Sequence, residues 1–219
     1  MDLNVLKSYI PLYNEALLLT VKIGLLGILT AFVIGLSGAA AIYFRIPVIR
    51  KILSIYIELF RNTPLLVQLF FIYFALPKLG IRISAELCGV MGLGLIGGAY
   101  MIETMRSGLE SIAKVQSESA LSLGMTEGQV FMNIILPQAF SVSMPGIMAN
   151  VIFLLKETSV FSTISLMDLM FTAKDLIGMY AKTIECLFLL VIYYLVMLLP
   201  VSILGSIIER RVRYAEFGD

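Results

Sequence analysis

Apolar and polar positions alternate along this chain in long blocks, with apolar runs separated by short charged gaps. A helix needs about 20 predominantly apolar residues to cross a bilayer, and five runs qualify: 16–44, 52–76, 85–105, 139–165 and 184–208. The expected fold is all-α and integral to the membrane, a single transmembrane domain over 1–219 with five crossings. The first run is broken only by Lys22 and exceeds one bilayer thickness, so it tilts or projects beyond one face. Lys22 is expected to snorkel toward the interface. Gly35, Gly38 and Ala39 let a neighbouring helix approach closely.

The charged gaps carry further expectations. Arg45, Arg50 and Lys51 surround Pro47 and predict a short turn before the second run. Glu58 and Arg61 stand three residues apart and can pair on one helix face. Thr63 before Pro64 reads as an N-cap with proline at the first helical position, so this run is kinked or restarted there. In the fourth run, which Pro145 opens, Lys156 and Glu157 fall near the middle. Adjacent residues diverge by about 100° around a helix and cannot neutralise each other on one face. Either both lie at depth and need partners or water, or the helix is shifted outward and both reach the interface. The segment with Asp168, Lys174, Asp175 and Lys182 has too little apolar length to cross again.

Basic residues give the orientation. Eight fall on one side (Arg45, Arg50, Lys51, Arg106, Lys114, Arg210, Arg211, Arg213) and five on the other (Lys7, Lys78, Arg82, Lys174, Lys182). The positive-inside tendency then places the N-terminus outside and the C-terminus in the cytoplasm. The N-terminal stretch has an acidic second residue and no cleavage site after a short apolar core, so it does not read as a removable signal peptide.

Composition agrees with a membrane protein: 59% of residues are hydrophobic and 14% charged, about half the charge of a soluble domain. A net charge of +1 argues against a partner held by phosphate attraction. Histidine is absent, and Cys88 and Cys186 are isolated in apolar surroundings, so the usual metal and histidine acid–base arrangements are missing. Nothing in the cysteine spacing specifies a disulfide. Gly92, Gly94 and Gly97 match G-x-G-x-x-G, but no strand precedes them, and close helix packing through Gly94 and Gly98 accounts for them better.

One stretch departs from the apolar pattern. Residues 116–137, within a loop at 107–138, are amphipathic with helical spacing. Ser117 is placed to cap a short helix that Gly124 ends in a left-handed turn. Thr126 caps a second helix carrying Val130, Phe131, Ile134 and Ile135, which is expected to stop before Pro137. Helix, glycine turn, helix imitates a DNA-binding motif, but 127–136 contains no Lys or Arg to meet phosphate or guanine, so no nucleic-acid partner is expected. Its length and capping exceed what a connector needs, and a short helix with an apolar face suits a groove on a partner.

This island resembles the EAA loop of ATP-binding cassette importer permeases, whose pattern is Glu-Ala-Ala, three residues, Gly, nine residues, Ile, one residue, Leu-Pro. Here the matching positions are Glu118, Ser119, Ala120, Gly124, Ile134, Leu136 and Pro137, with Ser119 replacing the middle alanine. ELFRNTPLLVQLFFIYFALP, GGAYMIETMRSGLESI, ILPQAF and LLKETS are similar to the polar amino-acid branch, whose substrates are His, Arg, Gln, Glu and their relatives. Glu157 stands where that branch often has aspartate.

The resemblance implies a multi-pass subunit in a bacterial cell membrane, surrounded by lipid, that imports a polar L-amino acid. It implies as partners a pair of ATPase subunits whose clefts receive Glu118, Ala120, Gly124, Ile134, Leu136 and Pro137, a second permease copy or paralogue, and an extracytoplasmic amino-acid-binding protein. The chain has no G-x-x-x-x-G-K-[ST], so ATP and Mg are expected on the partner and no enzymatic chemistry or cofactor on this chain. An α-ammonium group needs an acceptor, and Glu157 is the first candidate, with Glu15 and Glu58 behind it. Arg61, or backbone N–H groups at the break near Thr63, could meet the substrate carboxylate. Two other readings stay open: a secondary transporter using the carboxylates Glu58, Glu103 and Glu157, and a membrane scaffold with no transport of its own.

Overall fold

The computed structural model describes residues 3–44 and 46–217, with side chains as far as Val212. Arg45 and the side chain of Arg213, both counted above for orientation, lie outside the described residues. The described residues are helical almost throughout and contain no strand.

Helix α1 spans Leu3–Tyr43 and starts thirteen residues before the apolar run that announced it. The reason is visible in its buried positions: Leu6, Tyr9, Tyr13, Ala16 and Thr20 recur at three- and four-residue intervals, while Lys7, Asn14 and Glu15 between them turn outward. That stripe packs on α8 (Leu169–Tyr180) and the start of α9 (Thr183–Phe217), where Tyr13 donates to the Cys186 carbonyl at 2.7 Å. With 41 residues, α1 is about 60 Å long and exceeds a bilayer core of about 30 Å.

The lower part of α1 lies along α4 (Ala85–Ser111). The contact residues rise together, Gly27 with Leu93 and Gly38 with Ile102, so the two helices run parallel. A Cβ on Gly27 would sit 2.6 Å from Leu93 Cβ, so backbone approach here requires hydrogen as the side chain. Lys22 reaches across to Glu86 in the first turn of α4, at 2.8 Å, so it has an ionic partner within the protein.

The second run is restarted at the expected break and is sharply bent there. It divides into α2 (Pro47–Arg61) and α3 (Leu65–Phe70), extended by a π turn, Phe71–Ala75, and a 3-10 turn, Leu76–Leu79; the two parts meet at 102°. Arg50 and Lys51 therefore belong to the first turns of α2 and not to a connecting turn. Thr63 does not cap α3. Its Oγ1 donates back to the Leu59 carbonyl at 2.7 Å, and Pro64, extended at φ −58° and ψ 143°, holds the cap position. Gln68, buried in an otherwise apolar stretch, bridges the break by donating to the Phe60 and Thr63 carbonyls at 3.1 and 2.9 Å.

The island forms α5 (Lys114–Ser122) and α6 (Glu127–Val130). Ser117 lies inside α5, not at its cap: Ala113 holds that position, and Ser117 Oγ donates back to the Lys114 carbonyl at 2.8 Å. Gly124 adopts φ +85°, and Met125 N–H reaches back to the Ala120 carbonyl at 3.3 Å, which ends α5 in a left-handed turn. Thr126 and Gln129 close a reciprocal capping box on α6.

Pro137 does not stop the helix that follows. Residues Phe131–Ile135 form a π turn, and α7 continues over Leu136–Glu157, with Pro137 in its first turn and Pro145 inside it. The Leu136 N–H reaches the Phe131 carbonyl five residues back. Widening one turn in this way accommodates a ring that lacks an N–H and would clash in a regular turn. The second island helix and the transmembrane helix α7 are consequently one continuous rod. It runs antiparallel to α4, with Ser143 beside Gly108 and Leu154 beside Gly97, and Asn150 donates to Thr104 Oγ1 at 2.9 Å.

Among the described residues four stretches, Leu3–Tyr43, Ala85–Ser111, Glu127–Ile164 and Thr183–Val212, are long and apolar enough to cross a membrane, and the bent α2–α3 pair makes five when taken as one span. Cys88 and Cys186 are both buried, unbonded, and belong to different apolar clusters.

Candidate transport site and docking island

At the α2–α3 break, the expected pairing of Glu58 with Arg61 does not form. Arg61 Nη1 donates to Glu103 Oε2 on α4 at 3.1 Å, and its guanidinium lies 5.2 Å from the Tyr100 ring centre. Glu103 is shared: Arg106 also donates to it, through Nε at 3.1 Å, and Arg106 reaches Glu110 at 2.7 Å. A carboxylate from a packed neighbour thus outcompetes one on the same helix, and Glu58 accepts instead from Asn62 Nδ2 at 2.9 Å. The result is a line of alternating charges, Arg61, Glu103, Arg106 and Glu110, running down α4 toward the island.

Glu157 ends α7, where the chain tightens into the 3-10 turn Thr158–Ile164, and does not sit mid-helix. It is half-buried, while Lys156 beside it is exposed. Its carboxylate has no hydrogen bond or ion pair among the described residues. The flanking Leu155 and Thr158 are buried against Gly24 of α1, which leaves Glu157 on the opposite aspect of the helix. The 3-10 turn that follows Glu157 packs against α3, the helix that begins after the break. Glu15 lies apart: it is exposed on the upper part of α1, with no hydrogen bond or ion pair to Glu58, Arg61, Thr63 or Glu157.

Two polar groups near the break were missed by sequence reading. In the sequence Glu103 is one of three intramembrane carboxylates, and its pairing with Arg61 has no local signal. Gln68 is a lone amide in an apolar run, and that isolation was itself a usable cue. Its amide nitrogen holds the break together, while its Oε1 is buried without a partner. A half-buried unpaired carboxylate and a buried free amide oxygen are acceptors, which suits a cationic group on a bound molecule.

At the other end of the bundle the island is fastened to its surroundings. Phe131 stacks on Tyr43 and Phe44 at the end of α1, with ring centres 4.8 and 5.0 Å apart. Ala120 is buried, Ile134 and Leu136 are half-buried, and Glu118, Gly124 and Pro137 are exposed. The apolar edge that α5 and α6 leave to solvent, including Leu121, Leu123 and Met132, is available for a partner. A cavity of about 640 Å³ opens beneath the island, between α5, α6 and the ends of α1 and α4.

Residues 16–214 match the family described as binding-protein-dependent transport system inner membrane component. Among curated relatives, a probable amino-acid permease protein, YxeN of Bacillus subtilis, is 35% identical over 93% of this chain and 92% of its own. The arginine transport system permease protein ArtQ of the same organism is 33% identical over 97% and 98%. An amino-acid ABC transporter crystallised with histidines superposes with a TM-score of 0.88 at 34% identity, covering 96% of this chain and 99% of the other. The MetNI methionine ABC transporter, inward-facing, shares the fold with a TM-score of 0.80 at 17% identity. A match over nearly the whole chain, joined to the same helical architecture, decides the assignment: this chain belongs to the family of binding-protein-dependent transport system inner membrane components.

Proposed function

We propose that this chain is the permease subunit of an importer that carries a polar L-amino acid into the bacterial cell, driven by ATP bound with Mg and hydrolysed on a separate pair of ATPase subunits. The observation that carries the substrate class is Glu157, a half-buried carboxylate with no partner among the described residues, next to the turn that packs on α3. An ionisable group inside a membrane protein is costly without a partner, and an α-ammonium group supplies one during transport. Gln68 Oε1 offers a second acceptor close to the break, and Arg61, or the backbone near Thr63, is the group we assign to the substrate carboxylate. Relatives named for amino acids, glutamine, arginine and cystine support the same class.

The island end then faces the cytoplasm, with the N-terminus outside, and Glu118, Ala120, Gly124, Ile134, Leu136 and Pro137 form the docking element for the ATPases. The continuous rod from α6 into α7 makes this mechanically direct, because a displacement at the docking face moves a transmembrane helix without an intervening loop. A second copy or a paralogue completes the pathway, and an extracytoplasmic binding protein delivers the substrate to the opposite end. The decisive experiment is uptake by the permease–ATPase complex in vesicles, with the substrate chosen by thermal stabilisation against an amino-acid panel. Uptake that follows ATP supports this function; uptake that follows an ion gradient and ignores ATP overturns it.

A further inference from the structure

We infer that the cavity beneath the island binds a small zwitterion from the cytoplasmic side, and that its occupant restrains the island; this rests on the importer reading above, which sets that face in the cytoplasm. The cavity, about 640 Å³, is within the size range of small-molecule sites, roughly 300–1,000 Å³. Its floor is apolar, with Leu109 and Val130 both buried, and its walls carry six charged side chains.

Two of those six are neutralised within the protein, since Arg106 donates to Glu110 at 2.7 Å and also to Glu103. The other four are Arg50 on α2, Lys114 and Glu118 on α5, and Glu127 on α6, and their side chains make no ion pair or hydrogen bond among the described residues. Lys114 and Glu118 are one helical turn apart and line the same hollow, yet they do not pair with each other. Two unpaired cations and two unpaired carboxylates around one cavity select against a ligand of a single sign. An anion alone would meet Glu118 and Glu127, and a cation alone would meet Arg50 and Lys114. A molecule carrying an ammonium and an acidic group a few bonds apart satisfies both pairs.

Two sources supply that chemistry at this position: free amino acids in the cytosol and the phosphoethanolamine headgroup of the bilayer. The walls come from both the bundle, through Arg50, and the island, through Lys114, Glu118 and Glu127. An occupant therefore ties the two together and favours the arrangement seen here over any in which the island shifts against α2. Occupancy should slow the ATP-driven cycle, and with amino acid as ligand this is feedback by the imported product.

The test uses the permease–ATPase complex in vesicles whose lumen holds liganded binding protein, so that ATP added outside reaches only complexes with the cytoplasmic face outward. Glutamine, arginine or cystine is added outside to phosphatidylglycerol vesicles, and separately phosphatidylethanolamine is blended into the bilayer. The expected result is a several-fold fall in stimulated ATP hydrolysis in one arm, absent in Arg50→Gln and Glu127→Gln. A fall in the amino-acid arm assigns the free ligand, and a fall in the lipid arm assigns the headgroup. Hydrolysis unchanged in both arms, or lowered equally in the variants, overturns the inference. If stimulated hydrolysis is absent even without ligand, the importer reading itself fails, and the inference with it.

Discussion

Gln138 Nε2 donates to Gln116 Oε1 at 2.6 Å and also to the Ile134 carbonyl at 2.9 Å, joining α5 to the root of α7 across the π turn. One amide thus satisfies a carbonyl in the irregular turn before Pro137 and fixes the first island helix onto the rod formed by the second. Gln138→Ala should cost about 1 kcal/mol of stability, the net worth of such a hydrogen bond. It should lower the number of substrate molecules moved per ATP while leaving hydrolysis active. Simultaneous measurement of uptake and phosphate release checks this, and an unchanged ratio would remove the tie from the coupling route.

The left-handed backbone at Gly124, φ +85°, has no atom within 4 Å of a built Cβ, so within this chain a substitution there acts through the backbone. Gly124→Val places a β-branched residue in a region that costs about 1–3 kcal/mol. We expect ATP hydrolysis uncoupled from uptake in that variant. Gly124→Asn, which tolerates the same conformation, should retain most coupling. Equal behaviour of the two variants would show that the turn conformation is unimportant.

Glu157→Gln keeps the size of the side chain and removes the unpaired charge at the end of α7. Uptake in reconstituted vesicles should fall at least tenfold, while gel filtration shows the permease assembled as in the wild type. Wild-type uptake by this variant would rule out Glu157 as the ammonium acceptor.

Along the parallel contact of α1 and α4, a Cβ on Gly35 would fall on Met101 Cβ and lie 3.3 Å from the Met101 backbone carbon, which cannot give way. Gly35→Ala should therefore destabilise by about 1–3 kcal/mol, the usual cost of overpacking. Gly128→Ala, whose Cβ would meet nothing within 4 Å, is the control and should be neutral or gain up to about 1 kcal/mol of helix propensity. Melting temperatures in detergent separate the two.

Asp168 caps α8 by accepting from Phe171 and Met170 N–H at 2.9 and 3.3 Å, and it is fully buried. Burial outweighs these donors and pushes its carboxyl from 3.8 to about 7. Because the folded chain holds this proton more tightly than the unfolded one, the contribution is fully present below the ordinary carboxylate range. It is lost as pH rises through about 7. Melting temperature should fall from about pH 4 to about pH 7 and level off above that, and Asp168→Asn should flatten that slope. An unchanged slope in the variant would assign the pH dependence to other groups.

What the sequence determined by itself was set by short-range physics. Apolar runs longer than a bilayer needs placed the long helices, because backbone groups in lipid must be satisfied within the segment. Thr126 and Gly124 announced the island's turn, since a cap and a left-handed residue act within a few positions of themselves. The loop pattern from Glu118 to Pro137 carried the family resemblance in the same local way. The tertiary structure decided what depended on which helices meet and in what register. The early start of α1 is stabilised by α8 and α9, more than 150 residues away. Arg61 had an available partner three residues back and took Glu103, forty-two residues on, because packing α2 on α4 brought a shared carboxylate into reach. Pro137 read as a stop, yet a π turn packed under Tyr43 and Phe44 carries the helix through it. A local pattern can state a preference for a cap, a pair or a break; whether a distant side chain overrides that preference is settled only when the helices are brought together.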